Sequence, residues 1–308
     1  MPDVEALCLG ETMVLVSPGA GQPLATAREA VLSVAGAEST VARYLADLGH
    51  RVAWAGRVGL DPHGERILSA VGGGGVDVRL VERDPTAPTG VFFKDPAADG
   101  TRVHYYRAGS AASRMTPAYL DRLPLSSARV VHQSGITPAL SPQCAETATA
   151  LFTRAREAGV LCSFDVNHRP GLWDARRAAG PLLSLARQAD LVFVGLDEAD
   201  RVWRTGTPEE VRDLIGPGVS VVVKDGAAGA TLFAPHAAPV FVPAQPVDVV
   251  EPVGAGDAFA AGYLSAWLHD AAPAARLALG HRTAALALGS VEDHADACAL
   301  RPAPESVR

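Results

Sequence analysis

Lysine is almost missing from this chain: Lys94 and Lys224 stand against 25 arginines, a bias of composition with little functional content. A basic block is missing too, and the formal net charge is −7. That balance excludes a general nucleic-acid binder and points to small-molecule partners. Cys8, Cys144, Cys162 and Cys298 are scattered, with no CxxC pair. Neither a disulfide framework nor a zinc site is expected, and a reducing cytosol is the natural home. No apolar run reaches the roughly 18 residues of a membrane helix. The opening residues, MPDVEALCLGETMVLV, carry acids where a secretion signal carries lysine or arginine. Internal repeats and low-complexity segments are absent as well.

What the chain does have is length and apolar residues: 308 positions, 48% hydrophobic and 20% charged, enough to bury a large core. Its dominant pattern is an apolar strand-like run followed by an amphipathic helical run. RVVHQSG (129–135) reads as a strand, and 141–159 as a helix with Pro142 in its first turn and Gly159 at its C-cap. Residues 160–167 and 191–194 read as strands with a helix between them. At 207–215 a helix opens with Thr207, Pro208 and Glu210, a capping box, and 219–223 is again a strand. Strands apolar on both faces, alternating with helices, predict a three-layer α/β sandwich around a mostly parallel sheet, in one domain over 1–308. Two stretches, about 10–35 and 88–110, break the pattern with short strands and Gly/Pro/Asp turns. They are expected to form a small separate sheet, a lid over the carboxyl edge where α/β folds bind ligands. In Tyr105-Tyr106 one ring is expected to face the core and the other the ligand. The last residues, 296–308, read as a loose tail.

Nucleotide motifs are also missing. Lys224 is followed by Asp225 without the glycine spacing of a P-loop, and NHRP lacks the acid of a protein-kinase catalytic loop. EPVGAGDAFAAGYLSAW (251–267) is no dinucleotide fingerprint, because Phe259 stands where the third glycine belongs. It is a glycine turn running into a helix over 257–268, and a helix start offers unpaired N–H groups to an anion. Asp257 there is either a reactive carboxylate or a plain N-cap.

That stretch resembles the C-terminal signature of the ribokinase-like, PfkB-type carbohydrate kinases, and VAGAESTVARYLADLGHRVAWAGRVGLDPHGERILSAVGGGGVDV (34–78) resembles the amino-terminal one. Within the family, AGAEST (35–40), YYRAGSAAS (105–113) and FDVNHRPGLW (164–173) are most similar to the kinases of 2-keto-3-deoxygluconate. The resemblance implies a ribokinase-like fold, ATP and Mg2+ as cofactors with room for a monovalent cation, and a homodimer joined through the lid strands. It implies Asp257 as the base, with the N–H groups of Gly254, Ala255 and Gly256 holding the phosphoryl charge. Gly36, Thr40, Phe92, Tyr105, Arg107 and Arg169 stand at its sugar contacts, the arginines suiting a carboxylate. Lys224, Gly226 and Gly229 are its nucleotide-side candidates, although a plain β-turn reads the same. Asp197 and Asp200 resemble its Asn-x-x-Glu, which organises magnesium through water; two acids at a helix start also simply complement its dipole. Thr40 replaces an asparagine and Phe92 a tyrosine of that pattern. The implied function is an ATP-dependent 2-keto-3-deoxygluconate kinase. The rivals are a fructose or other ketose kinase, a non-catalytic sugar-acid sensor, and a nucleoside kinase, for which the arginines have no use.

Overall fold

In the computed structural model, which describes residues 4–19, 22–97, 100–250, 252–290 and 294–301, the apolar runs form one eight-stranded sheet. Its parallel strands are β1 (Ala6–Leu9), β4 (Val52–Ala55), β9 (Val130–Ser134), β10 (Leu161–Asp165), β11 (Leu191–Gly195) and β12 (Ser220–Asp225). An antiparallel pair, β13 (Gly229–Phe233) and β14 (Val240–Pro243), extends one side. The order is β14-β13-β12-β11-β10-β9-β1-β4.

Alternation decides which core each side chain joins. Leu7 and Leu9 of β1 point into one apolar cluster with Val221 and Val223 of β12, while Ala6, Cys8 and Val222 point into the other. The first cluster is closed by α4 (Pro142–Glu157) and α5 (Ala175–Gln188), through Leu151, Phe152 and Leu182. The second is closed by α1 (Ala37–Asp47), α8 (Ala255–Leu268) and α9 (Pro273–Leu288), through Leu45, Tyr263 and Leu277. Helices on both faces explain why these strands carry no polar stripe. The shorter helices are α2 (Pro62–Gly73), α3 (Ile136–Leu140), α6 (Leu196–Trp203) and α7 (Pro208–Ile215). Thr207 and Glu210 form the expected capping box at the start of α7. Ser141 caps α4 by accepting from the Cys144 N–H, with Pro142 in the first turn.

The two irregular stretches supply a second sheet of four strands, in the order β3-β2-β7-β8. These are β2 (Met13–Pro18), β3 (Ala30–Ala35), β7 (Val91–Ala97) and β8 (Gly100–Tyr106), with β2 and β7 parallel and the outer pairings antiparallel. A short parallel pair, β5 (Arg57–Gly59) with β6 (Glu82–Asp84), completes the strands of the described residues. Part of the expected loose tail is pinned: Cys298–Leu300 is a 3-10 turn, and Arg301 donates to the Asp47 carbonyl at the end of α1. Residues 302–308 of that tail lie outside the described residues. Among the described residues no helix is long and apolar enough to cross a membrane.

Candidate active site

A cleft of about 540 Å³ opens at the carboxyl ends of β10, β11 and β12, where Asp165, Gly195 and Lys224 sit. The start of α8 and the start of α1 form two more walls, and the inner side of the small sheet faces them through Met13, Phe92 and Tyr105. The carboxyl edge is where the first N–H groups of succeeding helices gather, which makes it the natural place for anionic ligands.

Gly254 has φ 83°, a left-handed turn that brings the chain sharply into α8. The first intrahelical bond runs from the Ala258 N–H to the Gly254 carbonyl at 2.9 Å. The N–H groups of Ala255, Gly256 and Asp257 therefore have no helical acceptor. The helix begins at Ala255 rather than 257, so the cap is Gly254 and Asp257 is the third helical residue. The capping role open to Asp257 in the sequence is thus absent. Its carboxylate instead accepts from Asn167 Nδ2 at 3.0 Å, and the residue is only 7% exposed. Burial first, then the neighbouring Asp165 carboxylate, push Asp257 up to about 7, while Arg169 and Lys224 pull in the other direction.

Behind Asp257 lies a charged cluster. Lys224 Nζ donates to Asp165 Oδ2 at 3.2 Å and lies 3.3 Å from where a Cβ on Gly256 would stand. Glu198, at the third position of α6, turns back to accept from the Gly195 N–H at 3.3 Å and from the His168 N–H. Burial and Asp165 push Glu198 up, opposed by Lys224. Glu38, fully buried in α1, accepts from the Ser134 N–H at 2.9 Å and its Oγ at 2.7 Å, tying α1 to the end of β9.

On the opposite wall, Gly36 is crowded by backbone: a Cβ there would meet the Glu11 carbonyl at 2.5 Å. Thr40 is buried beside it. Phe92 stacks on Tyr105 with ring centroids 5.5 Å apart. Arg107 is held by Glu11, whose other oxygen accepts from Ser110 Oγ at 2.7 Å, and its guanidinium lies 5.6 Å from the Tyr105 ring centre. Arg169 is exposed to the cleft and forms no ion pair among the described residues.

The structure therefore brings Gly36, Thr40, Phe92, Tyr105, Arg107, Arg169, Lys224, Gly254, Gly256 and Asp257 around one cleft, with Ala255 contributing a backbone N–H. Others fall elsewhere. Gly226 (φ 48°) and Gly229 (φ 144°) shape the β12–β13 hairpin outside the cleft lining, and a Cβ on Gly229 would strike the Val242 carbonyl at 2.4 Å. Asp197 is on the rim, paired with Arg201 at 3.1 Å, and exposed Asp200 is not part of the cleft. Tyr105 faces the cleft, but Tyr106 is 68% exposed and meets Phe93 edge-on, so neither ring enters the core. Of the carboxylates that line the cleft, Asp165, Glu198 and Glu11 were not singled out in the sequence, nor was Asn167. A signal existed for Glu198, which lies one helical turn before buried Val202, on the inner face of α6.

The sequence profile described as pfkB family carbohydrate kinase matches residues 4–297. The chain is 37% identical over 268 residues to the 2-dehydro-3-deoxygluconokinase of Bacillus subtilis strain 168, covering 85% of this chain and 82% of that one. It is 33% identical to the 2-dehydro-3-deoxygluconokinase of Thermoproteus tenax, covering 99% and 94%. Among solved structures it resembles a PfkB protein from Polaromonas sp. JS666, with a TM-score of 0.87, 36% identity, and coverage of 94% and 97%.

Proposed function

This chain belongs to the pfkB family of carbohydrate kinases, and from that membership we propose that it transfers the γ-phosphoryl group of ATP to the terminal hydroxyl of 2-dehydro-3-deoxygluconate, a 2-keto-3-deoxy sugar acid. One observation carries the choice of an acid: the same cleft holds Asp257 beside a ring of free N–H groups and Arg169, a cation with no ion pair among the described residues. A carboxylate on the substrate would complete that guanidinium.

In this reading Asp257 Oδ2 accepts the proton of the attacking hydroxyl, since Oδ1 is already bonded to Asn167. The N–H groups of residues 255–257 hold the charge that gathers on the transferred oxygens. Lys224 adds a cation beneath the Gly256 turn. Gly36 lets the sugar approach the backbone, and Thr40, Phe92 and Tyr105 shape its pocket. ATP brings Mg2+, and Asp165 and Glu198 are hard oxygen donors suited to it. Both already accept protein donors, so they fit the hydrated ion, which when bound neutralises phosphate oxygens. The small sheet acts as the lid, and its Val31 (65% exposed) and Tyr106 provide apolar surface for pairing two copies into a homodimer. Four free cysteines, three of them buried, suit a cytosolic home.

A neutral ketose is the second reading, favoured by the neutralisation of Arg107 by Glu11 and by the missing hydroxyl of Phe92. ADP release with Mg-ATP across 2-dehydro-3-deoxygluconate, its C4 epimer, fructose and other ketoses separates the two. The sugar acid is expected to exceed fructose at least about tenfold in kcat/KM. The reverse order would install the ketose, and binding without ADP release from any sugar would mark a sensor.

A further inference from the structure

We propose that Asn167 is the positioning residue for the Asp257 carboxylate: its amide fixes one oxygen so that the other faces the substrate hydroxyl. The proposal rests on the reading of Asp257 as proton acceptor.

A carboxylate turns easily about its terminal torsion, a broad sp³–sp² rotor. Among the described residues the Asn167 amide is the one side-chain donor that reaches Asp257, at 3.0 Å, leaving Oδ2 to the cleft. The carboxylate in turn fixes which way the amide lies, with its NH₂ toward Oδ1. Asn167 carries two local penalties for this single bond. Its φ is 41°, in the left-handed region, and its own Oδ1 is buried with no partner. A residue 93% buried with an orphaned acceptor is poorly explained by stability.

The backbone on either side is over-determined. The Val166 N–H donates to the Phe193 carbonyl at 3.0 Å, the Gly135 N–H to the Asp165 carbonyl at 2.8 Å, and the His168 N–H to Glu198. Anchored at 165, 166 and 168, the backbone fixes the point from which the Asn167 side chain reaches Asp257. Glycine would adopt φ 41° with less strain, so the backbone alone does not call for asparagine. The side chain does.

That comparison supplies the test. Asn167→Gly removes the amide and relieves the turn, so its melting temperature should match or exceed wild type. With the sugar the wild type phosphorylates best, kcat should fall roughly 10- to 100-fold while KM for sugar and ATP stays within about threefold, as expected for a misaimed reacting group. Asn167→Asp, which keeps a side chain tolerant of positive φ but replaces the donor by a like charge, should lose more. In an Asp257→Ala background Asn167→Gly should cause no further loss, because the amide acts through that carboxylate. Wild-type kcat in Asn167→Gly, or a full additional loss in the Asp257→Ala background, would overturn the proposal. Near-normal turnover by Asp257→Ala alone would instead fell the proton-acceptor reading, and this proposal with it.

Discussion

Replacing Asp257 by asparagine should stabilise the fold while it abolishes turnover. The carboxylate is buried and faces Asp165, so its value rises from the ordinary 3.8 to about 7. A folded value above the unfolded one means that the native state holds the proton more tightly. Ionisation then works against folding: the penalty is absent below about pH 4, grows between the two values, and is complete above about 7. At about 1.4 kcal/mol per unit, roughly three units amount to about 4 kcal/mol at pH 8. Asparagine has the same shape, still accepts from Asn167 and never ionises. For a chain of 308 residues, an unfolding entropy of about 2.1 cal/mol/K per residue converts that figure to roughly 6 °C. Paired thermal melts of wild type and Asp257→Asn at pH 4.5 and pH 8 read it directly. The gap should be small at the lower pH and several degrees in favour of the variant at the higher. A variant melting at or below wild type at pH 8, or by the same offset at both pH values, would refute the reasoning. Functional sites are expected to hold such trade-offs, because a carboxylate kept in a hostile field is a better proton acceptor.

The same value sets the pH dependence of activity. An acceptor must be ionised, so kcat/KM should rise about tenfold per pH unit below an apparent pKa near 7 and level off above it; a flat profile from pH 5.5 to 8 would contradict it. Arg169→Met should raise KM for a sugar acid roughly 10- to 100-fold, the worth of a charge-assisted pair, and barely change KM for a neutral ketose; steady-state kinetics on both substrates checks this. Gly256→Ala places a methyl group 3.3 Å from Lys224 Nζ, in the turn whose N–H groups face the phosphoryl group in this reading. It should lower kcat with little change in melting temperature, as ADP release and a thermal melt will show.

The layered architecture was legible because its cause is local: strands apolar on both faces can only be strands covered on both faces. The glycine turn at 254–256 was legible for the same reason, since its conformation is written in the residues that make it. What escaped was set by contacts distant in sequence. Arg107, expected among the sugar contacts, does line the cleft, but its pairing with Glu11, 96 residues away, was not visible in the sequence. Asp257 offered itself as a cap until the helix start moved to Ala255 and Asn167, 90 residues away, took its oxygen. For α6 the difference is one of helical phase: Asp197 is exposed at the cleft rim and Asp200 is outside the lining, whereas half-buried Glu198 turns into the cleft. Gly226 and Gly229 read in the sequence either as a plain turn or as a ligand loop; the structure places both in the β12–β13 hairpin, and the Val242 carbonyl of β14 crowds Gly229.

The parallel pairing of β2 with β7 has a consequence for biosynthesis. Val14 aligns with Val91, and everything between them, including α1, β4 and α2, is made before β7 leaves the ribosome. Until then the β2–β3 hairpin carries an open edge, and a lone hairpin is marginal in water. The small sheet can therefore close only once β7 has been made, and this high-separation contact slows its assembly. During that interval the open edge of β2 is available for pairing with other chains.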